Sequence, residues 1–346
     1  CGRDWSSDVC SSDLSKRDLD DSFVNMILTL RGRDLMNMLS RSVLILYTLD
    51  ETAEDYSLPS LVKQSLNLIA KLPVIVAYSY QGMRHSFYRK SLVIRHPQAN
   101  LSAAENFLYL LKGNKYTPLE AEILDLMMIL HAEHGGGNNS TFTMRLVSSA
   151  MTDTYSATAA AIGSLKGRLH GGANLQVLEM MTNIKKNVKN WNDKEEIKSY
   201  LMKILRKEAY DRSGKIYGIG HAVYTLSDPR AELLKTKAIE LAKEKGLEKE
   251  LQLYLNIEEI APKALAEYKN GNVKAVCANV DFFSGFVYEA IDIPHELFTP
   301  MFAIARMSGW AAHRLEEMNF ASRRIIRPAY KNVLQNEYHY VPLQDR

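Results

Sequence analysis

Residues 100–138 read NLSAAENFLYLLKGNKYTPLEAEILDLMMILHAEHGGGN. Two helices are written into this stretch with their start and stop signals. Ser102 followed three residues later by Glu105 makes a capping box, and Gly113 supplies the stop. Thr117, Pro118 and Glu120 then repeat the start: a cap, a proline at the first helical position and a carboxylate to close a second box. Ile123, Leu126, Met127 and Leu130 follow at i, i+3, i+4 and i+7, which puts one apolar face on the second helix. Three glycines end it and hand the chain to a polar loop.

The same grammar extends along the chain. NDKEEIKSYLMKILRKEA (192–209) and AELLKTKAIELAKEKG (231–246) are amphipathic helices with charged outer faces, while WNDKE and EKGLEKE mark exposed turns. Alternating strand patterns are short and scarce, and there is no tandem repeat. The expected fold class is therefore all-α. With 346 residues, 46% hydrophobic and 24% charged, the chain has room for one large or two ordinary globular domains. A net charge of +3 is too small to argue for nucleic acid or an anionic membrane. No uninterrupted apolar run reaches the roughly 18 residues of a membrane helix, LPVIVAY (72–78) being too short, and no secretory leader pattern is present. Beyond residue 14 the only cysteine is Cys277, and a lone thiol fits a reducing cytoplasm.

Glycine-flanked polar residues interrupt the helical text. In HAEHGGGNNST (131–141), His131 and His134 lack the further ligands of a zinc site and read, alone, as surface loop histidines. In KGRLHGGANLQVLEMM (166–181), His170 either donates to a substrate oxygen or caps a helix end. In GIGHAVYTLSDPR (218–230), glycines precede His221 and Arg230 follows, yet neither a GxGxxG nor a P-loop pattern is present. In NVDFFSGFVYEA (279–290), Asp281 lies between Val280 and Phe282; apolar company would raise its pKa and make it a better base, although a helix cap is the simpler reading. Arg306, among Phe302, Ala303, Ile304 and Ala305, needs an anionic partner, and a substrate carboxylate would serve. Together these residues suit proton removal from carbon on a polycarboxylate.

The ordered set HGGGN, LHGGAN, GIGHAVY…DPR, NVDFFSG, FTPMFAIAR…GWAAH and RPAY resembles the citrate synthase family from about Leu101 to Tyr330. The resemblance implies a large helical domain and a smaller one closing over a cleft, in a homodimer. It implies that Asp281 removes a methyl proton from acetyl-CoA, the co-substrate, and that His170 holds the thioester oxygen. His221 would polarise the ketone of oxaloacetate, and Arg230, Arg306 and Arg327 would bind its carboxylates. His134 would assist, and Arg327 would come from the partner subunit. Asn138 and Ser140 fall at active-site polar positions. Gly218, Gly220 and Ala222 would meet the adenine of CoA, and Lys274 a CoA phosphate. No metal or permanently bound cofactor is implied. Thr225 and Leu226 depart from the pattern, standing where many relatives carry basic or bulkier polar residues, and Arg324 competes with Arg327.

The resemblance places residues 15–171 and 291–346 in the large domain, short of its N-terminal part, and 172–290 in the small one. Residues 4–14, DWSSDVCSSDL, match the translation of a common sequencing-adapter oligonucleotide, so residues 1–14 are expected to be a non-native, unstructured addition. Removing their one arginine and three aspartates would move the net charge to +5. Two other readings of function remain at this point: a 2-methylcitrate synthase using propionyl-CoA, and a non-catalytic homologue or inactive fragment.

Overall fold

A computed structural model describes residues 14–221, 224–271, 275–331 and 339–346. Of the expected addition at residues 1–14, residues 1–13 lie outside the described residues, as do Ala222 and Lys274, while Leu14 opens a 3-10 turn that runs to Arg17. Among those described the regular structure is helical, and the nearest approach to a sheet is one isolated antiparallel bridge, Ile219 to Ala278.

The first group of helices comprises α1 (Asp21–Thr29), α2 (Leu35–Tyr47), α3 (Leu58–Tyr88), α4 (Ala103–Lys112), α5 (Pro118–His131), α6 (Asn139–Ser148) and α7 (Thr154–Lys166). The second comprises α8 (Ala173–Asn187), α9 (Lys194–Leu205), α10 (Pro229–Lys245), α11 (Glu248–Tyr268) and α12 (Val280–Ala290); α13 (Phe298–Met318) returns to the first. α3 packs against α1, α2, α4 and α13, while α13 also touches α5, α6 and α7. In the second group α12 packs on α8 and α10, and α9 and α10 pack on α11. The result is two helical domains, joined where α10 lies on α5.

The capping box of Ser102 and Glu105 forms in full, and Gly113 ends α4 with a positive φ of 66°. The second box forms only in half. Thr117 accepts from the Glu120 N–H, but the Glu120 carboxylate turns inward to Lys112 (2.7 Å) on α4 and to Lys245 on α10. An interdomain ion cluster outcompetes the local cap because it pairs a carboxylate that is 2% exposed. Lys237 to Glu122 (2.8 Å) and Thr117 to Glu244 (2.8 Å) extend this seam.

α3 is the one described helix whose length and overall apolarity match a bilayer crossing. Here it is a core helix: Leu61, Leu68, Leu72, Ile75 and Val76 are each at most 2% exposed.

Candidate active site

α5 ends where its glycine-rich loop begins, and the two histidines there part company. His131, expected on the surface, is buried at 1% exposure because it completes the apolar face of α5. Its Nδ1–H donates to the Met127 carbonyl (2.8 Å) and its ring meets Phe302 edge-on. Three residues on, His134 Nδ1 accepts from Arg230 Nη1 (3.2 Å), and its ring lies 5.2 Å from that of His221. Burial and the guanidinium of Arg230 push His134 down to about 4, so the imidazole is neutral and Nε2 carries its proton.

Arg230 stands in the first turn of α10, behind Pro229. Asp228 caps that helix, accepting the Arg230 N–H (3.0 Å) and gripping the guanidinium through both oxygens (3.1 and 2.9 Å). Burial opposes ionisation of Asp228, but the bonds and charge of Arg230 prevail and hold it below the ordinary carboxylate value. The Asp228–Arg230 pair is a positioning device that reasoning from sequence missed. The signal was present: Asp-Pro-Arg is a cap, a first-turn proline and a cation two residues from the cap. His221 Nδ1 accepts from the Tyr224 N–H (3.1 Å), which assigns the proton of the neutral ring to Nε2; that N–H and Arg230 Nη2, 3.5 Å apart, are two donors that do not bond to each other. His134, His221 and Arg230 thus bring donors to one place.

Arg306 is 1% exposed in mid-α13. Nε donates to the His131 carbonyl (2.8 Å), Nη1 to Asn138 Oδ1 (3.3 Å), and the guanidinium lies over the Phe302 ring. Among the described residues no carboxylate pairs with it within 4.0 Å. Burial lowers it to about 10, far above neutrality, so it stays a cation. Arg314, one percent exposed on the same helix, shows the contrast: Thr154, Ser148 and Thr152 give its three nitrogens oxygen partners.

His170 sits in the turn before α8. Its Nε2 faces the Ser140 N–H (3.2 Å) and Ser140 Oγ (2.9 Å) at the start of α6. The backbone N–H can only donate, so Nε2 accepts and the proton of the neutral ring is on Nδ1. Burial, then the charge of Arg306, hold this imidazole below its ordinary value. Trp310 Nε1 donates to Ser140 Oγ (3.3 Å), and Ser140 lies 3.0 Å from Asn138 Oδ1. Gly171 is required beside His170, since a Cβ there would lie 2.2 Å from the Leu165 carbonyl.

Asp281 is not the helix cap. Asn279 caps α12, accepting the Asp281 N–H (3.0 Å), and Asp281 occupies the first turn. Burial beside Phe282 and Phe283 raises its carboxyl to about 6; Arg230 and Arg306 pull it down and Asp228 pushes it up. Asp281 is thus within electrostatic reach of the same two cations that lie near the histidines.

The 218–220 segment is strapped to 277–279. Gly220 N–H donates to the Cys277 carbonyl (2.7 Å), Asn279 N–H to the Gly218 carbonyl (2.9 Å), and Asn279 Nδ2 to the Gly220 carbonyl (2.9 Å). Gly218 has φ +79°, and a Cβ would lie 2.9 Å from Phe282 and Val177. Gly218 and Gly220 line a cleft of about 830 Å³ that also reaches Asn279. Arg327 stays apart, exposed in the extended segment after α13. Among the described residues no cluster of three His, Cys, Asp or Glu side chains could hold a metal.

Residues 6–329 match the family model described as citrate synthase, C-terminal domain. Citrate synthase 2 of Bacillus subtilis is 37% identical over 311 residues, 90% of this chain and 76% of the relative. Citrate synthase of Deinococcus radiodurans is 36% identical over 333 residues, 96% and 81% of the two chains. The solved citrate synthase of Pyrobaculum aerophilum superposes with a TM-score of 0.76 at 30% identity, over 97% of this chain and 80% of that one. A ternary complex of carboxymethyl coenzyme A and oxaloacetate with citrate synthase from Thermoplasma acidophilum gives 0.77 at 27% identity, over 97% and 83%. With the helical fold, the strapped glycine loop and these matches in agreement, the chain belongs to the citrate synthase family and is an acyltransferase of that type.

Proposed function

We propose that the chain condenses acetyl-CoA with oxaloacetate and hydrolyses the resulting thioester to citrate and CoA. The observation that carries this is the buried Arg306, unpaired by any described carboxylate, beside a second arginine and two neutral imidazoles. That field suits a small dicarboxylate. Arg230 and Arg306 would take its carboxylates, with His134 donating through Nε2–H, and His221 would donate to the ketone oxygen.

Asp281, with its raised pKa, would accept the methyl proton of the thioester while the His170 N–H holds the developing enolate oxygen. The new carbanion equivalent attacks the ketone carbon as His221 supplies its proton to the ketone oxygen. Water then cleaves the thioester and releases CoA. The charge of Arg306 disfavours an imidazolium at His170, so the ring would meet the enolate oxygen as a neutral donor.

The adenine would lie on Gly218 and Gly220 at the 830 Å³ cleft. Residues 15–171 with 291–346, and residues 172–290, would be the two bodies that close over it. The working unit would be a homodimer, with Arg327 reaching the partner's site. Exposed Leu44 and Tyr47 on α2 and Phe142 and Leu146 on α6 offer apolar surface for that contact.

The test is release of free thiol with oxaloacetate and either acetyl-CoA or propionyl-CoA, with gel filtration alongside. Faster turnover of acetyl-CoA by a dimer is the expected result. A folded dimer that releases CoA from neither thioester would sink the reading.

A further inference from the structure

The motif GWAAH (309–313) ends on a histidine that none of the roles above uses. His313 stands on the face of α13 that runs through Arg306, Gly309 and Glu317, spaced so that all four point one way. That face meets the chain between His131 and Ser140 at successive points. Arg306 takes the His131 carbonyl and Asn138 Oδ1, and Trp310 takes Ser140. Gly309 lies under Ala132 and Glu133, where a Cβ would strike both. His313 comes next, with Nε2 3.0 Å from Glu133 Oε1 and Nδ1 3.4 Å from Glu316 Oε2 one turn on. A carboxylate only accepts, so the Nε2–H donates to Glu133. Beyond it Glu317 holds Arg145 (3.3 Å), whose Nη1 donates to the Gly136 carbonyl (3.4 Å).

Glu133 carries this grip to the site. Its Oε1 also accepts from the Gly135 N–H, so one oxygen ties together the two neighbours of His134. Burial opposes ionisation of Glu133, but the bond from His313, then that from Gly135, holds its carboxyl below the ordinary value. The loop cannot fix itself: three glycines follow His134, and the first has a φ of +84°. Yet the His134 ring must stand where Arg230 Nη1 reaches it at 3.2 Å. We propose that His313 is a positioning residue for the dicarboxylate, holding Glu133 so that His134 keeps its place beside Arg230. His313 itself touches no substrate. One face of α13 thereby supplies Arg306 to the dicarboxylate directly and steadies His134 through Glu133.

The inference rests on the citrate synthase reading, and one experiment separates their failures. Two amides at position 313 distinguish positioning from packing. Glutamine brings its amide nitrogen to the place of Nε2 and keeps the donor to Glu133. Asparagine reaches only the place of Nδ1, toward Glu316. Both are neutral, so their charge is matched. Steady-state kinetics at pH 8 on the full chain compare the wild type with H313Q, H313N and H313L, with thermal melts alongside. KM for oxaloacetate should rise about tenfold in H313N and H313L and less than about twofold in H313Q. KM for acetyl-CoA and the melting temperature should be the same in H313N as in H313Q. A role in packing alone would instead move the two amides together, and KM for both substrates in step with melting. H313N with a KM for oxaloacetate within about twofold of the wild type, or a rise equal to that of H313Q, overturns the inference. The amide pair decides the matter even if H313L fails to fold. Absence of turnover by the wild type with any CoA thioester overturns the citrate synthase reading and this inference with it, whereas the amide comparison overturns this inference alone.

Discussion

Replacing Asp281 by asparagine separates what this carboxylate does for the chemistry from what it costs the fold. Burial lifts its pKa from 3.8 to about 6. A raised carboxylate pKa means that the ionised form is less welcome in the folded chain than in the unfolded one. The cost is fully present above about pH 6, shrinks as pH falls, and vanishes below the unfolded value. Roughly two units correspond to about 3 kcal/mol at pH 8 and about half of that at pH 5. The amide in the Asp281→Asn variant bears no charge and escapes the cost. Urea unfolding of both proteins at pH 8 and pH 5, at one fixed protomer concentration, measures the difference. The variant should be more stable by about 3 kcal/mol at pH 8 and by about half as much at pH 5. Other titrating groups are common to both proteins and cancel. Glu120 is one: burial opposes its ionisation, but Lys112 and Lys245 hold it below 4.5, so its contribution is lost as pH falls through its own lowered value. Turnover by the variant should drop by about 10² or more, the worth of a positioned general base. A stability gain of the same size at both pH values, or a loss at pH 8, would refute the assignment of a half-buried, raised carboxylate.

Arg306→Lys keeps the charge and loses the fork, so KM for oxaloacetate should rise by about 10² in steady-state assays while the melting temperature moves only a few degrees. Gly309→Ala would put a Cβ 2.3 Å from the Ala132 carbonyl and Glu133 Oε2, displacing the loop that carries His134; denaturant unfolding should show a loss of about 1–3 kcal/mol and kinetics a higher KM for oxaloacetate. Gly163→Ala, with nothing within 4 Å of its Cβ in α7, is the matched control and should be neutral or stabilising. Ser140→Ala leaves the buried Trp310 N–H unpaired and should cost about 1–3 kcal/mol on unfolding, yet the backbone N–H of residue 140 still fixes the His170 tautomer, so the pH profile of kcat should not move. Arg230 and Arg306 both depress Asp281, so a bound dicarboxylate that neutralises them should raise it; the acid limb for acetyl-CoA should lie at higher pH with saturating than with limiting oxaloacetate.

Helix starts were the most legible feature of the sequence, because a cap is a local contract between residues two or three apart. Ser102 with Glu105 and the Thr117 cap are visible without any tertiary knowledge. The misreadings came where a distant partner outbid the local one. Glu120 left its box for Lys112 and Lys245, the latter 125 residues away. Asp281 ceded the cap to Asn279 two residues earlier, since both are good caps and only the register of α12 decides between them. His131 looked like a loop residue beside three glycines, but it closes the apolar face of α5.

Five of the site residues share one placement that explains both their visibility and their chemistry, while His134 and His221 lie in loops and Arg306 in mid-helix. Asn138 stands at the N-cap position of α6 and Ser140 lies in its first turn; His170 precedes α8; Arg230 and Asp281 occupy the first turns of α10 and α12. First-turn N–H groups have no partner within their own helix and are free to hold a side chain or ligand, as Ser140 holds His170. These starts also carry the positive ends of helix dipoles, which add to Arg230 and Arg306 in favouring anions and neutral imidazoles. The same field would hold Asp281 ionised at low pH, yet its pKa is raised, so burial outweighs the cations at that one carboxylate. Had Asp281 been as exposed as Arg327, the surrounding charge would have made it a poor base. Arg306 is the exception in mid-helix, with no cap or glycine to announce it, and only the apolar residues on either side show that a cation there needs an anion to complete it.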